Sequence, residues 1–275
     1  MPGKSAAQLI LRVGRVGIGW EIALTAGKRQ THAGEQNQEK EGFHGGRDSV
    51  RGAKVKLKVK LIRRRDCELQ PPAAYTRAMI SAELLLHAYR NAVFPMSMQD
   101  GEIAWFSPDP RAIIPIHEFH VPHGLRRTLK KARFEIRIDT VFETVMRKCG
   151  ARSETWINDE IVASYVNLHR LGYAHSVESW LDGKLAGGLY GVALGGAFFG
   201  ESMFHEVTDA SKVALHALVM RLKERRFELL DTQWTTAHLE TFGAVEISRA
   251  EYRRRLDACV KKECSFIEVL TADEL

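Results

Sequence analysis

The sequence predicts an α+β fold with a mainly antiparallel sheet. Two observations carry that reading: capped, apolar-periodic stretches interspersed with strands, and consecutive hairpin signals in the second half of the chain. From the first half onward, Ser81 can cap a helix through Arg90 with Glu83 in its first turn, and Phe94-Pro95 ends it. Trp105 to Arg111 is a rigid turn segment in which Pro108 and Pro110 set φ. Gly124 to Lys131 is a short basic helix, and Phe134 to Asp139 alternates as a half-buried strand. Thr140 and Glu143 form a capping box for the next helix. Asn158 to Leu171 is a further helix, stopped by Gly172. His175 to Leu181 and Lys184 to Ala193 flank Asp182-Gly183, a favoured hairpin turn, and Gly195-Gly196 turns again into Ala197 to Phe204. Asp209 opens a long helix to about Arg225. Glu228 to Gln233 is a short strand, and Ser248 with Glu251 boxes the last helix.

Composition narrows the function classes. The chain has 275 residues, 45% apolar and 27% charged, enough for one or two domains with a real core. No apolar run approaches the ~20 residues of a membrane span, and no secretory leader is expected. Four cysteines, Cys67, Cys149, Cys259 and Cys264, are too scattered for a disulfide framework, so a cytoplasmic protein with reduced thiols is expected. The net charge of +6 is unevenly spread. Residues 1–65 hold 15 Lys and Arg against 5 Asp and Glu, and the remainder holds 25 against 29. Three readings of that basic quarter stand: a disordered arm, a start codon placed too far upstream with Met79 as an alternative, or a nucleic-acid module. Gly14 to Gly19 has the wrong spacing for a phosphate loop.

Two strands carry polar groups inside apolar text: Phe199 to Phe204, with Glu201 and Ser202, and Leu229 to Trp234, with Asp231 and Gln233. Surface alternation or a satisfied core carboxylate explains them as well as a cleft made by two strand ends does. His117, His120 and His123, with Glu118, lie on a proline-bounded loop without fixed geometry, so no metal site is expected.

Eight blocks together are specific. They are Trp105 to Arg111, Thr155-Trp156-Ile157, Leu168 to Ser176, Gly187 to Gly191, Phe199 to Phe204, Asp209 to Lys212, Leu230 to Gln233 and Phe242 to Glu246. In content, order and spacing, from about residue 80 to 258, they resemble the leucyl/phenylalanyl-tRNA–protein transferase family. The resemblance implies an acetyltransferase-like (GNAT) core behind a small N-terminal domain. The corresponding division is a basic extension at 1–68, a small domain at 69–117, a catalytic domain at 118–260 and a tail at 261–275. It implies transfer of Leu or Phe from aminoacyl-tRNA to proteins beginning with Arg or Lys, marking them for bacterial N-degron proteolysis. No cofactor, no membrane and a monomer are expected.

The resemblance also assigns residues. Asp231 and Gln233 take the catalytic positions, and their i, i+2 spacing predicts one shared face. Glu201 is expected at the aminoacyl amino group, with a structural partner for a buried cation as its plain alternative. Leu189, Phe198, Leu215, Leu218, Leu222 and Leu230 align with the amino-acid pocket, although such a stripe would otherwise read as core. Leu and Phe are unbranched at Cβ, so a narrow entrance can reject Val and Ile. Trp156 and Tyr165 match positions near the 3′-adenosine, a base for which stacking is the usual hold. Met96 departs from the family there, which often carries Trp. Arg126, Arg127, Lys130 and Lys131 make one basic helix face that matches the tRNA-binding patch, where a solvated face is the plain alternative. Two other classes compete: a small-molecule GNAT acetyltransferase and a non-enzymatic RNA-binding protein. The first lacks its Gly-rich phosphate loop, because Val207 to Lys212 has no glycine.

Overall fold

The computed structural model describes residues 79–267 and, ahead of them, the backbone of two strands, β1 (Leu9–Val16) and β2 (Gly19–Ala26). The rest of the basic segment, including the alternating stretch at 54–61, lies outside the described residues. The two strands pair antiparallel across 17–18, with Val16 opposite Gly19. Helix α1 (Ala82–Arg90) starts on Ser81, whose Oγ accepts from Leu84 N. Strands β3 (Phe94–Ser97) and β4 (Ile103–Ser107) follow, and a four-stranded sheet runs in the order β2-β1-β4-β3.

The larger sheet is built from the remaining strands. These are β5 (Arg111–Ile114), β6 (Glu135–Ile138), β7 (Ala174–Leu181), β8 (Lys184–Leu194), β9 (Ala197–His205), β10 (Leu229–Gln233) and β11 (Val245–Ile247), in the order β11-β5-β10-β9-β8-β7-β6. Asp182 and Gly183, at φ 49° and 73°, make the β7–β8 turn that a two-residue hairpin requires. Helices α2 (His123–Lys130) and α5 (Ala210–Glu224) contribute to one core cluster. Helices α1, α3 (Phe142–Gly150), α4 (Asp159–Arg170) and α7 (Arg249–Cys259) contribute to another, and a short α6 (Ala237–Glu240) precedes β11.

Period-two alternation delivers side chains to both clusters. Leu189, Phe198 and Leu230 join the α5 side, while their neighbours Tyr190, Phe199 and Leu229 join the α4 side. Gly187 lets α5 approach β8, because a Cβ there would stand 2.7 Å from Ala210 Cβ.

Three expectations change. The sheet is mixed: β9 and β10 run parallel, pairing Ala197 with Leu229 and Phe199 with Asp231. Parallel neighbours need a long crossover, and α5 is that crossover. The expected box at Thr140 is replaced by a tertiary one. Buried Glu178 accepts from the N–H groups of Thr140 and Val141, from Ser176 Oγ and from Trp180 Nε1, and it also bonds Thr140 Oγ1. Asp209, at φ 69°, does not cap α5 with its side chain; the carboxylate binds Lys212 and Thr128 instead. The caps at Asn158 and Ser248 form as the sequence predicts.

Candidate active site

Pairing between β9 and β10 stops at Phe199 and Asp231. Beyond that point each strand carries an irregularity. In β9, Gly200 and Ser202 face Gly191 and Tyr190, leaving Glu201 as the extra residue. In β10 the register against β5 shifts between Asp231 and Gln233. Bulges of this kind re-aim side chains and end pairing. A cleft of about 570 Å³ opens where the strands part. Glu201, Thr232 and Gln233 line it at the strand ends, Leu189, Leu215, Leu218 and Leu230 supply apolar lining, and Arg152 and Trp156 come from the loop before α4.

Among the described residues, Glu201 meets no cation at hydrogen-bonding distance. Tyr89 Oη donates to Glu201 Oε1 at 2.6 Å and is itself bonded to Tyr165 Oη. Gln233 Nε2 is 3.4 Å from the same oxygen. Burial pushes the Glu201 pKa up to about 8, and the Tyr89 hydrogen bond only partly opposes it. The carboxyl therefore holds its proton well above the usual carboxylate range, and it borders the open space of the cleft.

Asp231 sits on the other side of the strand. It is wholly buried, and Arg111 holds it bidentately: Nε donates to Oδ1 at 2.9 Å and Nη2 to Oδ2 at 2.5 Å. Tyr252 Oη donates to Oδ2 at 2.7 Å. Gln233 N donates to Oδ1 at 2.9 Å, a side-chain-to-backbone turn that stabilises the left-handed conformation of Gln233 at φ 58°. For Arg111 burial alone would lower the pKa, but the neighbouring Asp231 carboxylate raises it.

The predicted shared face of Asp231 and Gln233 is thus not formed. The bulge breaks the period-two rule, sending Asp231 into the core and Gln233 into the cleft. Asp231 does not line the cleft; its Oδ1 accepts from the Gln233 N–H.

The other assigned residues divide in the same way. Leu189, Leu215, Leu218, Leu230, Trp156, Glu201 and Gln233 line the cleft. Phe198 and Leu222 are fully buried and lie behind that lining, in the same cluster as Leu215 and Leu218. Tyr165 is also fully buried, its ring edge-on to Tyr190, so it has no exposed face on which a base could stack. Met96 is packed against the core on β3, whose Ser97 N–H donates to Trp156 O, and it does not line the cleft.

Sequence reasoning missed Arg111, Tyr89, Tyr190 and Tyr252. Arg111 closes a block that the sequence does single out, but nothing local says that its partner is 120 residues away. Tyr190 Oη and Thr232 Oγ1, both in the cleft lining, are buried without hydrogen-bond partners among the described residues.

On α2, Arg126, Arg127 and Lys130 are exposed, as is Lys131 at its C-cap. Leu125 packs into the α5-side core, and Thr128 Oγ1 donates to Asp209, which lines the cleft. The basic face is therefore tied to the cleft by one hydrogen bond.

Comparison with known proteins agrees with this geometry in extent. Residues 113–257 match the family model for leucyl/phenylalanyl-tRNA protein transferase, and residues 78–109 match the model for its N-terminal domain. The chain is 57% identical over 183 residues to the leucyl/phenylalanyl-tRNA–protein transferase of Paramagnetospirillum magneticum, spanning 64% of this chain and 88% of that protein. It is 53% identical over 188 residues to the namesake in Gloeobacter violaceus, spanning 68% and 97%. Among solved structures, L-PGS from Bacillus licheniformis is similar at 11% identity and a TM-score of 0.34, over 58% of this chain and 53% of that one.

Proposed function

The chain belongs to the leucyl/phenylalanyl-tRNA protein transferase family and is an aminoacyltransferase, and we propose from that premise that it moves Leu or Phe from aminoacyl-tRNA to the α-amine of proteins beginning with Arg or Lys. The product would be marked for N-degron proteolysis in the cytoplasm. The observation that carries the reading is the cleft at the parted ends of β9 and β10, which sets a titratable carboxyl and an amide beside an apolar lining.

The donor ester is already activated, so the protein needs no covalent nucleophile. The acceptor's neutral α-amine attacks the ester carbonyl. A peptide bond forms, the ester C–O bond breaks, and the electron pair leaves on the ribose oxygen, which takes up the proton that the attacking amine nitrogen loses. The protein's share is positioning and electrostatics. Gln233 is the group placed to hydrogen-bond the incoming amine or the developing tetrahedral centre. Asp231 and Arg111 hold Gln233 in its left-handed conformation. Glu201 receives the donor's α-amine. Leu189, Leu215, Leu218 and Leu230 take the unbranched side chain, with Phe198 and Leu222 backing them. Trp156 stands where the 3′-adenosine would lie, and Arg126, Arg127, Lys130 and Lys131 meet the acceptor-stem phosphates.

We read the core as GNAT-like and place its start near residue 118, after the small domain of 69–117. The α5 crossover between two parallel strands in an otherwise antiparallel sheet supports this. An acetyl-CoA role is disfavoured by the Asp209 carboxylate at the head of α5, where a pyrophosphate would need N–H donors and no negative charge. The test is transfer from Leu-, Phe- and Val-tRNA to a peptide with N-terminal Arg. Leu and Phe should transfer and Val should not; transfer from Val as fast as from Leu refutes the pocket assignment.

A further inference from the structure

Tyr190 is a cleft group to which the reaction above gives no part. It stands on β8 opposite Ser202 and lines the cleft. Its ring is edge-on to Phe142 and to Tyr165, with no exposed surface. Three other buried tyrosines spend their hydroxyls within the protein: Tyr89 on Glu201, Tyr165 on Tyr89, and Tyr252 on Asp231. Tyr190 Oη alone of the four has no partner among the described residues. A buried hydroxyl without a partner is costly, and proteins seldom keep one in a site without use. Burial first, and then the Glu201 carboxylate, push its pKa well above the usual phenol range, so it is a neutral phenol that lies within the field of that acid.

We propose that Tyr190 Oη is a second acceptor for the free α-amine of the donor aminoacyl group, beside Glu201. The inference rests on the aminoacyl-transfer reading above. An α-ammonium carries three N–H donors, and Glu201 already gives one oxygen to Tyr89 and Gln233. A neutral phenol oxygen satisfies another donor without adding charge. Tyr190 thereby distinguishes an aminoacyl ester from a plain acyl ester, which makes it a specificity residue for the free amine.

The experiment compares Phe-tRNA with the same tRNA carrying 3-phenylpropanoate, which lacks only the amine, in transfer to an Arg-starting peptide. With Tyr190→Phe, KM for Phe-tRNA should rise about tenfold at little changed kcat, the worth of one lost hydrogen bond to a charged group. KM for the amine-free donor should stay within about twofold, as expected when the lost contact is absent from that donor. Equal loss on both donors, or no loss on Phe-tRNA, overturns the assignment. The ring is retained and an unpaired hydroxyl removed, so the unfolding midpoint should not fall. If the variant nevertheless does not fold, Glu201→Ala supplies the reading: a residual preference for the amine-bearing donor supports a second contact, and loss of all preference overturns it. Failure of the native protein to transfer Phe at all would count against the aminoacyl-transfer reading, separately from Tyr190.

Discussion

Asp231 and Glu201 stand on adjacent strands at the same end of the sheet and meet opposite surroundings. Asp231 is sealed in the core, with Arg111, Tyr252 and the Gln233 N–H on its two oxygens. Glu201 faces the cleft with a phenol and an amide for company, and burial raises its pKa to about 8. One carboxyl is locked by a buried cation and builds geometry. The other meets no cation among the described residues and lines the cleft. Two groups of the same chemistry are thus separated in role by what surrounds them.

The comparison breaks first at Arg111. Arg111→Met leaves Asp231 buried without its counter-ion and also removes the guanidinium stacked 4.8 Å from Phe94 and 4.7 Å from Tyr252. The expected loss is about 3–5 kcal/mol of folding stability, read from denaturant midpoints at constant slope. Unchanged stability would mean that the pair holds nothing together.

Gln233→Ala comes next. It removes the amide from the cleft and leaves the Asp231–Arg111 pair in place. Transfer should fall by about 10²-fold in kcat, in the range seen when one preorganised donor is removed, with tRNA binding retained. A rate within twofold of native would take Gln233 out of the chemistry.

Glu201→Gln should act through binding and pH. Its folded pKa is raised from the usual 4.5 to about 8, so the folded state holds the proton that the unfolded state releases. Stability from this group is full below about pH 4.5 and declines as pH rises to about 8. The variant should lose that slope in thermal melts and raise KM for aminoacyl-tRNA about tenfold, as for one lost charged hydrogen bond. An unchanged stability–pH slope would place Glu201 with the compensated carboxyls.

The smallest effect belongs to α2. Lys130→Ala should weaken tRNA binding modestly and reduce the slope of log K against log salt by about 0.7–0.9 if the lysine contacts one phosphate. The amino-acid preference should not move. A changed preference would mean that the basic face enters the cleft.

Local signals carried the hairpin, the caps and most elements. The β7–β8 turn is written in Asp182-Gly183, and the α4 and α7 caps in Asn158 and Ser248, because each depends on residues a few positions apart. The cleft-lining leucines, Glu201 and Gln233 were all singled out through the resemblance. The box at Thr140 and the cap at Asp209 were misread because their side chains bind elsewhere, Thr140 to distant Glu178 and Asp209 to Thr128 and Lys212. Tyr165 was matched by family position alone, which does not say whether its ring is open or sealed, and it is sealed here.

What the sequence by itself determined is the family, the longer helices, the order of strands β6 to β10, and the chemical types gathered at two strand ends. Only the tertiary structure decided which of those groups lines the cleft. A bulge between Asp231 and Gln233 overrides period-two alternation, and a buried arginine from β5 claims the aspartate. Burial and ion pairing arise from contacts between residues far apart in the chain, and those contacts divide two carboxyls into one that holds the scaffold and one that faces the cleft.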